Sequence, residues 1–337
     1  MNTIIDQTTC SMRANEKTGR ISAVRKNIFT VRFEGRDYPA KLSRRFYDDE
    51  SADFPVVGDY VIFRPGESGE SLINSRLERN NLLCRPDQSK TGVMQYMVAN
   101  VDYVFIVTSL NEDYSYNRIA RYVSIVLTCK ATPVVILTKC DLCSNPGRFA
   151  REVESIAEGV RVHTISALYG IGLDELNEYL NAGTTICFMG SSGAGKSTLL
   201  NAITGEETMK TGEVRKSDST GKHTTTHRQL IELESGVSII DTPGMREVGM
   251  ASNEEGLDNT FSDIKRLESM CRFSDCRHET EPGCAVKAAI ERGELTKERL
   301  MLYRSLNAEN VKNYAKKKAI SKLVHEREKF RKNNEHF

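Results

Sequence analysis

Hydrophobic and polar positions along this chain fall into three successive textures. From Thr18 to Arg85, short runs of alternating character are broken by turn residues. Arg20–Val24, Ile28–Phe33, Asp37–Leu42 and Asp59–Phe63 read as strands, because residues two apart share one face of a pleated strand. Gly35, Gly58 and Pro65-Gly66 mark the turns between strands or just after them. About five short strands in so short a stretch predict a small barrel of the oligonucleotide-binding (OB) type, with a ligand-free β-domain as an equal alternative. From Thr91 to Met250 the runs lengthen. Val101–Thr108 and Thr132–Thr138 are apolar runs of the kind that central parallel strands need, being covered on both faces. Asn117–Thr128 and Arg148–Glu158 have helical spacing, while Val162–Ile165, Thr184–Met189 and Val237–Ile240 read as further strands. Strands alternating with helices predict an α/β sheet. Beyond Met250 the chain reads as helical and ends in a lysine- and arginine-rich segment.

A chain of 337 residues has room for two or three domains, since single cores stop growing at about 250–300 residues. The textures divide it into a polar extension (1–17), the barrel (18–85), the α/β domain (91–250) and a C-terminal domain (251–337). A net charge of +1 excludes a uniformly basic coat for nucleic acid but leaves local patches open. The N-terminal segment lacks the apolar stretch of an export signal. No run approaches the roughly 18–20 apolar residues that cross a bilayer. Nine cysteines, an odd number, then argue for reduced thiols and a cytoplasmic protein with no membrane partner.

The chemistry concentrates at strand ends. Gly190-Ser191-Ser192-Gly193-Ala194-Gly195-Lys196-Ser197 fits the phosphate-loop pattern G-x-x-x-x-G-K-S and lies between a strand and a helix that begins near Lys196 and runs on past Thr198. Glycines let backbone N–H groups face phosphate, and the helix N-terminus adds its positive dipole end. Lys196 is placed to reach the β- and γ-phosphates, and Ser197 to give its hydroxyl to Mg2+. The loop alone does not choose between ATP and GTP. Asp241-Thr242-Pro243-Gly244 follows a strand 44 residues beyond Ser197, which suits a carboxylate near Mg2+ and a Gly244 N–H that senses the γ-phosphate.

Thr138-Lys139-Cys140-Asp141 closes another strand and resembles the guanine-reading N-K-x-D motif. An aspartate accepts from both guanine N1–H and its 2-amino group; adenine offers neither donor, and such a site discriminates by roughly 10⁴–10⁵. Lys139 is expected to lay its stem along the base. Thr138 stands where asparagine is usual, and a hydroxyl is not expected to reproduce an amide's cross-loop bonds. Ser166-Ala167, 25 residues after Asp141, resembles the S-A-K/L motif whose N–H meets guanine O6. Both base-reading motifs precede the phosphate loop, so the chain reads as circularly permuted. Ligand contacts depend on which strands are neighbours, not on where the chain starts.

Cys271-x4-Cys276-x-His278-x5-Cys284 supplies three thiolates and one imidazole, a closed tetrahedral set for one structural Zn2+. Cys10, Cys84, Cys129, Cys140, Cys143 and Cys187 read as ordinary thiols. The C-terminal bases, Lys316 to Lys318 among them, suit either a phosphate backbone or a solvated helix paired with Glu326 and Glu328.

With these motifs, and with Gly221-Lys222-His223-Thr224-Thr225-Thr226, the sequence closely resembles the ribosome small-subunit-dependent GTPase family (RsgA, also called YjeQ) over nearly its whole length from Thr18. The resemblance implies a multidomain protein: an N-terminal OB barrel, a central circularly permuted α/β P-loop GTPase domain and a C-terminal helical zinc-binding domain. It implies GTP hydrolysis stimulated by the small ribosomal subunit late in that subunit's maturation. Contact with ribosomal RNA and with other assembly factors is also implied, for a monomeric protein. One or both of Thr225 and Thr226 are expected to complete the Mg2+ shell, as the switch threonine does in related GTPases. Met245 occupies the position where a glutamine often orients the attacking water, which leaves His223 as the expected catalytic group beside Lys196. A role for His223 in stabilising the switch or touching RNA is the alternative. Two rival functions are a signalling GTPase whose outer domains bind protein, and an RNA-binding module gated by nucleotide.

Overall fold

A computed structural model describes residues 15–25, 28–48, 54–66, 69–86, 94–156, 159–205, 228–241, 258, 260–297, 299–308 and 311. It begins with β1 (Lys17–Arg25), β2 (Ile28–Phe33), β3 (Arg36–Leu42), a one-turn helix α1 (Arg45–Asp48), β4 (Tyr60–Arg64) and β5 (Ser71–Arg76). Neighbours run β1-β2-β3-β5-β4, and β4 pairs back onto β1, closing a five-stranded barrel. Only β3 and β5 are parallel within it. The alternation explains the closure: Ile21, Phe29, Val31, Ala40, Leu42, Val61, Phe63 and Ile73 turn into one core, and α1 adds Phe46. Gly19 is needed on that wall, since a Cβ there would lie 2.4 Å from a Val31 methyl carbon. This is the OB-type barrel expected from the strand pattern.

A hairpin of β6 (Leu82–Pro86) and β7 (Met94–Ala99) follows as a sheet of its own. Its consecutive buried residues, Met97, Val98 and Ala99, make a run of only three, shorter than the runs of about 4–8 that read as a buried strand.

The α/β domain contains β8 (Tyr103–Ser109), α2 (Tyr116–Thr128), β9 (Thr132–Thr138), α3 (Pro146–Glu154), β10 (Arg161–Thr164), β11 (Thr185–Gly190), α4 (Lys196–Thr204), β12 (Gln229–Glu232) and β13 (Ser238–Asp241). The sheet order is β10-β9-β8-β11-β13-β12, parallel except for β12. Apolar runs become two cores by strand alternation. Val104, Ile106, Val135, Leu137, Cys187 and Met189 face one side with α2. Phe105, Val107, Val134, Ile136, Ile186 and Phe188 face the other with α4. The helix expected at 148–158 starts earlier, at Pro146, because the Asn145 side chain accepts from the Arg148 N–H and proline suits the first helical position.

The C-terminal region supplies α5 (Ser262–Glu268), α6 (Ala285–Glu291) and a helical stretch at 299–308. Phe261, Ile264, Val286, Leu300 and Leu306 join the core on the α2 side, so this region is docked on the face of the sheet that carries α2. Arg299 fastens it: the guanidinium pairs with both Asp263 oxygens (2.6 and 2.9 Å) and donates to the Ile156 carbonyl just beyond α3 (2.8 Å).

Barrel and α/β sheet meet edge to edge where Ala23 of β1 pairs with Gln229 of β12. Arg20, beneath that seam, donates to Thr185 Oγ1 (2.8 Å), the Asn100 carbonyl (3.1 Å), the Gly58 carbonyl (3.2 Å) and Ser238 Oγ (3.3 Å). Thr185 and Ser238 open β11 and β13, so one barrel side chain holds the entry ends of the two strands that lead to the phosphate loop and to Asp241.

Candidate nucleotide-binding site and metal centre

The carboxyl ends of β9, β10, β11 and β13 lie along one edge of the parallel sheet, and the predicted motifs sit on the loops that leave them. Gly190 ends β11 so close to β8 that a Cβ would fall 2.1 Å from the Val107 carbonyl oxygen. Gly193 (φ 78°) and Gly195 (φ 89°) take left-handed conformations that favour glycine, and Gly195 caps the start of α4. Lys196, Ser197 and Thr198 form the first turn of α4, while Ser192 is exposed on the loop. Lys196 Nζ donates to the carbonyls of Gly190 (2.8 Å) and Ser191 (2.5 Å), so its ammonium lies over the loop that phosphate oxygens would share.

The base-side loop is tied directly to the phosphate loop. Thr138, buried at the end of β9, donates its hydroxyl to the Ala194 carbonyl at 2.6 Å. The expectation that a hydroxyl here could not reproduce an amide's cross-loop bonds is therefore corrected for one bond: the loop passes so close that a Cβ added at Gly195 would lie 3.5 Å from Thr138 Oγ1, within reach of the short side chain. Lys139 takes a left-handed conformation (φ 58°) that turns its side chain across, and Nζ donates to the Gly193 carbonyl at 2.9 Å. Asp141 stands exposed in the following 3-10 turn. The Cys140 N–H donates to the Ile165 carbonyl at 3.1 Å, which brings the β10 loop alongside. There Ser166 is paired through its backbone with Ile171, and its buried Oγ has no hydrogen-bond partner among the described residues. Ala167 is half-buried next to it.

Asp241 closes β13 beside β11, with β11 and β8 between it and β9. Its side chain, and His223, Thr225, Thr226, Gly244 and Met245, lie outside the described residues.

Two contacts escape the motif reading. Ser191 donates to Asp113 Oδ2 at 2.5 Å, and Asp113 is paired with Arg118 at 3.2 Å, so the β8–α2 loop braces the phosphate loop. Under the base side, buried His163 bonds Glu175 through Nδ1 and Tyr179 through Nε2, each at 2.8 Å, holding the segment after Ser166 against β10. Burial and the neighbouring Glu178 carboxylate push the Tyr179 phenol well up. No local pattern marks these residues; the partners come from different elements.

Cys271, Cys276, His278 and Cys284 converge, with all four ligand atoms within 4.8 Å of one another. Tetrahedral zinc with the usual bond lengths requires S···S edges of about 3.8 Å and S···N edges of about 3.6 Å. Here Cys271 and Cys284 sulfurs are 3.9 Å apart, and they lie 3.6 and 3.4 Å from His278 Nδ1. The donor set fits that metal. His278 Nε2 bonds Glu268 Oε1 at 3.1 Å, and Tyr303 donates to Glu268 Oε2 at 3.2 Å, an outer carboxylate that fixes the ring. Gly283 (φ 74°) turns the chain into Cys284, which caps α6. Glu281 accepts three backbone N–H groups, from Arg277 (3.0 Å), Glu279 (2.8 Å) and Thr280 (3.0 Å), shaping the loop between ligands.

A phosphate loop on β11, flanked in space by base-side loops that precede it in sequence, defines a circularly permuted P-loop GTPase. The profile described as RsgA GTPase matches residues 76–251. The chain belongs to the RsgA GTPase family and is a GTP-hydrolysing enzyme. It is 43% identical over 284 residues to a protein of Listeria monocytogenes named small ribosomal subunit biogenesis GTPase RsgA 2, covering 84% of this chain and 80% of that one. It is 40% identical over 315 residues to the small ribosomal subunit biogenesis GTPase RsgA of Methanosarcina acetivorans, covering 93% and 84%. Among solved structures, YjeQ from Thermotoga maritima matches with a TM-score of 0.65 and 31% identity over 88% of this chain and 99% of that one. YloQ, described as a circularly permuted GTPase, matches with a TM-score of 0.62 and 27% identity over 90% and 97%.

Proposed function

We propose that this chain binds GTP and GDP with Mg2+, docks on the small ribosomal subunit during its late maturation, and hydrolyses GTP with stimulation by that subunit. The observation that carries the nucleotide reading is the bonding of Thr138 and Lys139 to the Ala194 and Gly193 carbonyls, which joins base loop and phosphate loop into one cradle. The ribosomal partner rests on the names of the relatives.

In this reading Gly190, Ser191, Ser192, Gly193, Ala194 and Gly195 present backbone N–H groups to phosphate, with Thr198 beside them. Lys196 leaves its two loop carbonyls for the β- and γ-phosphate oxygens, where its charge offsets charge developing in transfer. Asp141 accepts from the guanine edge, Lys139 covers the base, and Ser166 and Ala167 approach O6. Ser197 and Thr225, with Thr226 as the other switch hydroxyl, hold Mg2+, which when bound neutralises charge between the β- and γ-phosphates. The Asp241 carboxylate stands near Mg2+, the Gly244 N–H senses the γ-phosphate, and a His223 ring nitrogen orients the attacking water. The four-ligand cluster holds one structural Zn2+, and the barrel and C-terminal domain face ribosomal RNA and neighbouring assembly factors in a cytoplasmic monomer.

GTP turnover with and without purified small subunits is the test, with Lys196→Ala as the inactive control. Subunit-stimulated turnover is expected; equal turnover in both arms would leave a GTPase without this partner. Single-turnover kinetics of His223→Ala decide its part: an unaltered chemical step removes it from the mechanism.

A further inference from the structure

Two of the thiols that read as ordinary in the sequence stand on either side of the base-reading carboxylate. Cys140 and Cys143 enclose Asp141 and Leu142 in a C-x-x-C spacing, the spacing of dithiol redox pairs. The Cys143 N–H donates to the Cys140 carbonyl at 3.1 Å, closing the 3-10 turn Cys140–Leu142. A turn closed in this way brings its first and fourth Cα atoms within about 7 Å, and disulfides span Cα separations of about 4.4–6.8 Å. Both thiols are half-buried, so a small molecule can reach them. Among the described residues no third ligating group joins them, whereas the four-ligand cluster lies elsewhere.

We infer that Cys140 and Cys143 form a redox-modifiable dithiol in the base-reading loop, and that closing it to a disulfide weakens guanine-nucleotide binding. The affinity effect rests on Asp141 reading guanine. The oxidant is a low-molecular-weight disulfide of the glutathione type. Burial and then the Asp141 carboxylate push the Cys140 thiol up, which makes it the poorer first nucleophile. The Cys143 thiolate therefore attacks one sulfur of the oxidant, breaking its S–S bond and releasing one thiolate. Cys140, on losing its proton, attacks the Cys143 sulfur of the mixed disulfide and releases the second. Two protein thiols are oxidised by two electrons, one external disulfide is reduced, and the two protons end on the released thiols.

The loop is pinned ahead of this pair by Lys139 on Gly193 and by the Cys140 N–H on Ile165. Cys143 is extended (φ −112°, ψ 127°). Drawing its sulfur onto Cys140 therefore turns the peptide units that carry Asp141, and a paired contact to two donors on one base edge tolerates little rotation.

The full-length, zinc-loaded protein is treated with oxidised glutathione, mapped by mass spectrometry, and titrated with fluorescent GDP before oxidation, after it, and after dithiothreitol. A 140–143 disulfide, retained zinc and a GDP dissociation constant raised by about tenfold or more, reversed by dithiothreitol, are expected. Cys143→Ser should abolish the response to oxidant, and Cys140→Ser should stop at a glutathione adduct on Cys143 with no 140–143 disulfide. Absence of that disulfide, or its presence with unchanged affinity, overturns the inference. Reduced wild type that binds ADP as well as GDP would instead remove the guanine reading, with the peptide map still deciding whether the dithiol closes.

Discussion

The hydroxyl of Thr138 ties two loops of the proposed nucleotide site together, and its replacement has a calculable effect. Thr138→Val keeps the β-branched shape and the strand end while deleting one donor. Thr138 is 2% exposed, its bond to the Ala194 carbonyl is 2.6 Å, and the next acceptor, the Thr108 carbonyl, is 3.4 Å away. An unmade bond at a buried acceptor costs about 1–3 kcal/mol. That cost can appear in two places. If the phosphate loop stays as it is, the nucleotide-free protein loses the full amount in stability and affinity is unchanged. If the loop relaxes to find another donor, part of the loss moves into binding, because nucleotide must restore the loop; each 1.4 kcal/mol moved is about tenfold in dissociation constant. In the GDP-saturated state the two routes give the same total. The assay is therefore thermal unfolding at saturating GDP. For a cooperative unit of about 150–250 residues, the loss corresponds to a fall in midpoint of about 2–12 °C. A variant that unfolds at the wild-type temperature with GDP bound would refute the claim that this hydroxyl ties the two loops together.

Two further outcomes follow from the metal loop. Glu268→Gln removes the charge behind His278 Nε2 while keeping the shape, and zinc affinity in a chelator competition should fall by about 10–100-fold; equal competition curves would show that Glu268 does not tune the site. Glu281 has its carboxyl held down at about 2, by hydrogen bonds from backbone N–H groups in its own loop. A depressed folded value means that its support is complete above the ordinary value near 4.5 and is lost as pH falls toward 2. At pH 6, Glu281→Gln should speed exchange of the Arg277, Glu279 and Thr280 amides, and unchanged exchange would count against the bonding.

Local pattern carried much of this protein. β2 (Ile28–Phe33) and β9 (Thr132–Thr138) coincide with the runs that predicted them, because a strand whose faces are both covered, or strictly alternate, writes its length into the sequence. α4 begins at Lys196 as the phosphate-loop pattern requires, since strand, glycine loop and helix are contiguous in the chain. The zinc-type cluster was legible for the same reason: its four ligands fall within one short segment. β12 (Gln229–Glu232) was not, having a single fully buried residue, Leu230, and so no period to read.

What the chain by itself determined was thus the chemistry available at each strand end: lysine and hydroxyl at the phosphate loop, aspartate at the base-reading loop, three thiols and an imidazole near the C-terminus. Only the tertiary structure decided which of these meet. The hydroxyl of Thr138 finds a carbonyl 56 residues away, Ser191 finds Asp113 78 residues upstream, and the barrel closes by pairing β1 with β4 rather than with its sequence neighbour alone. Tertiary structure likewise decided that the threonine in place of asparagine keeps one bond across to the phosphate loop, at the Ala194 carbonyl. Periodicity records whether a residue is buried. Which neighbour buries it depends on strand order and register, and those are fixed by the sum of many long-range contacts.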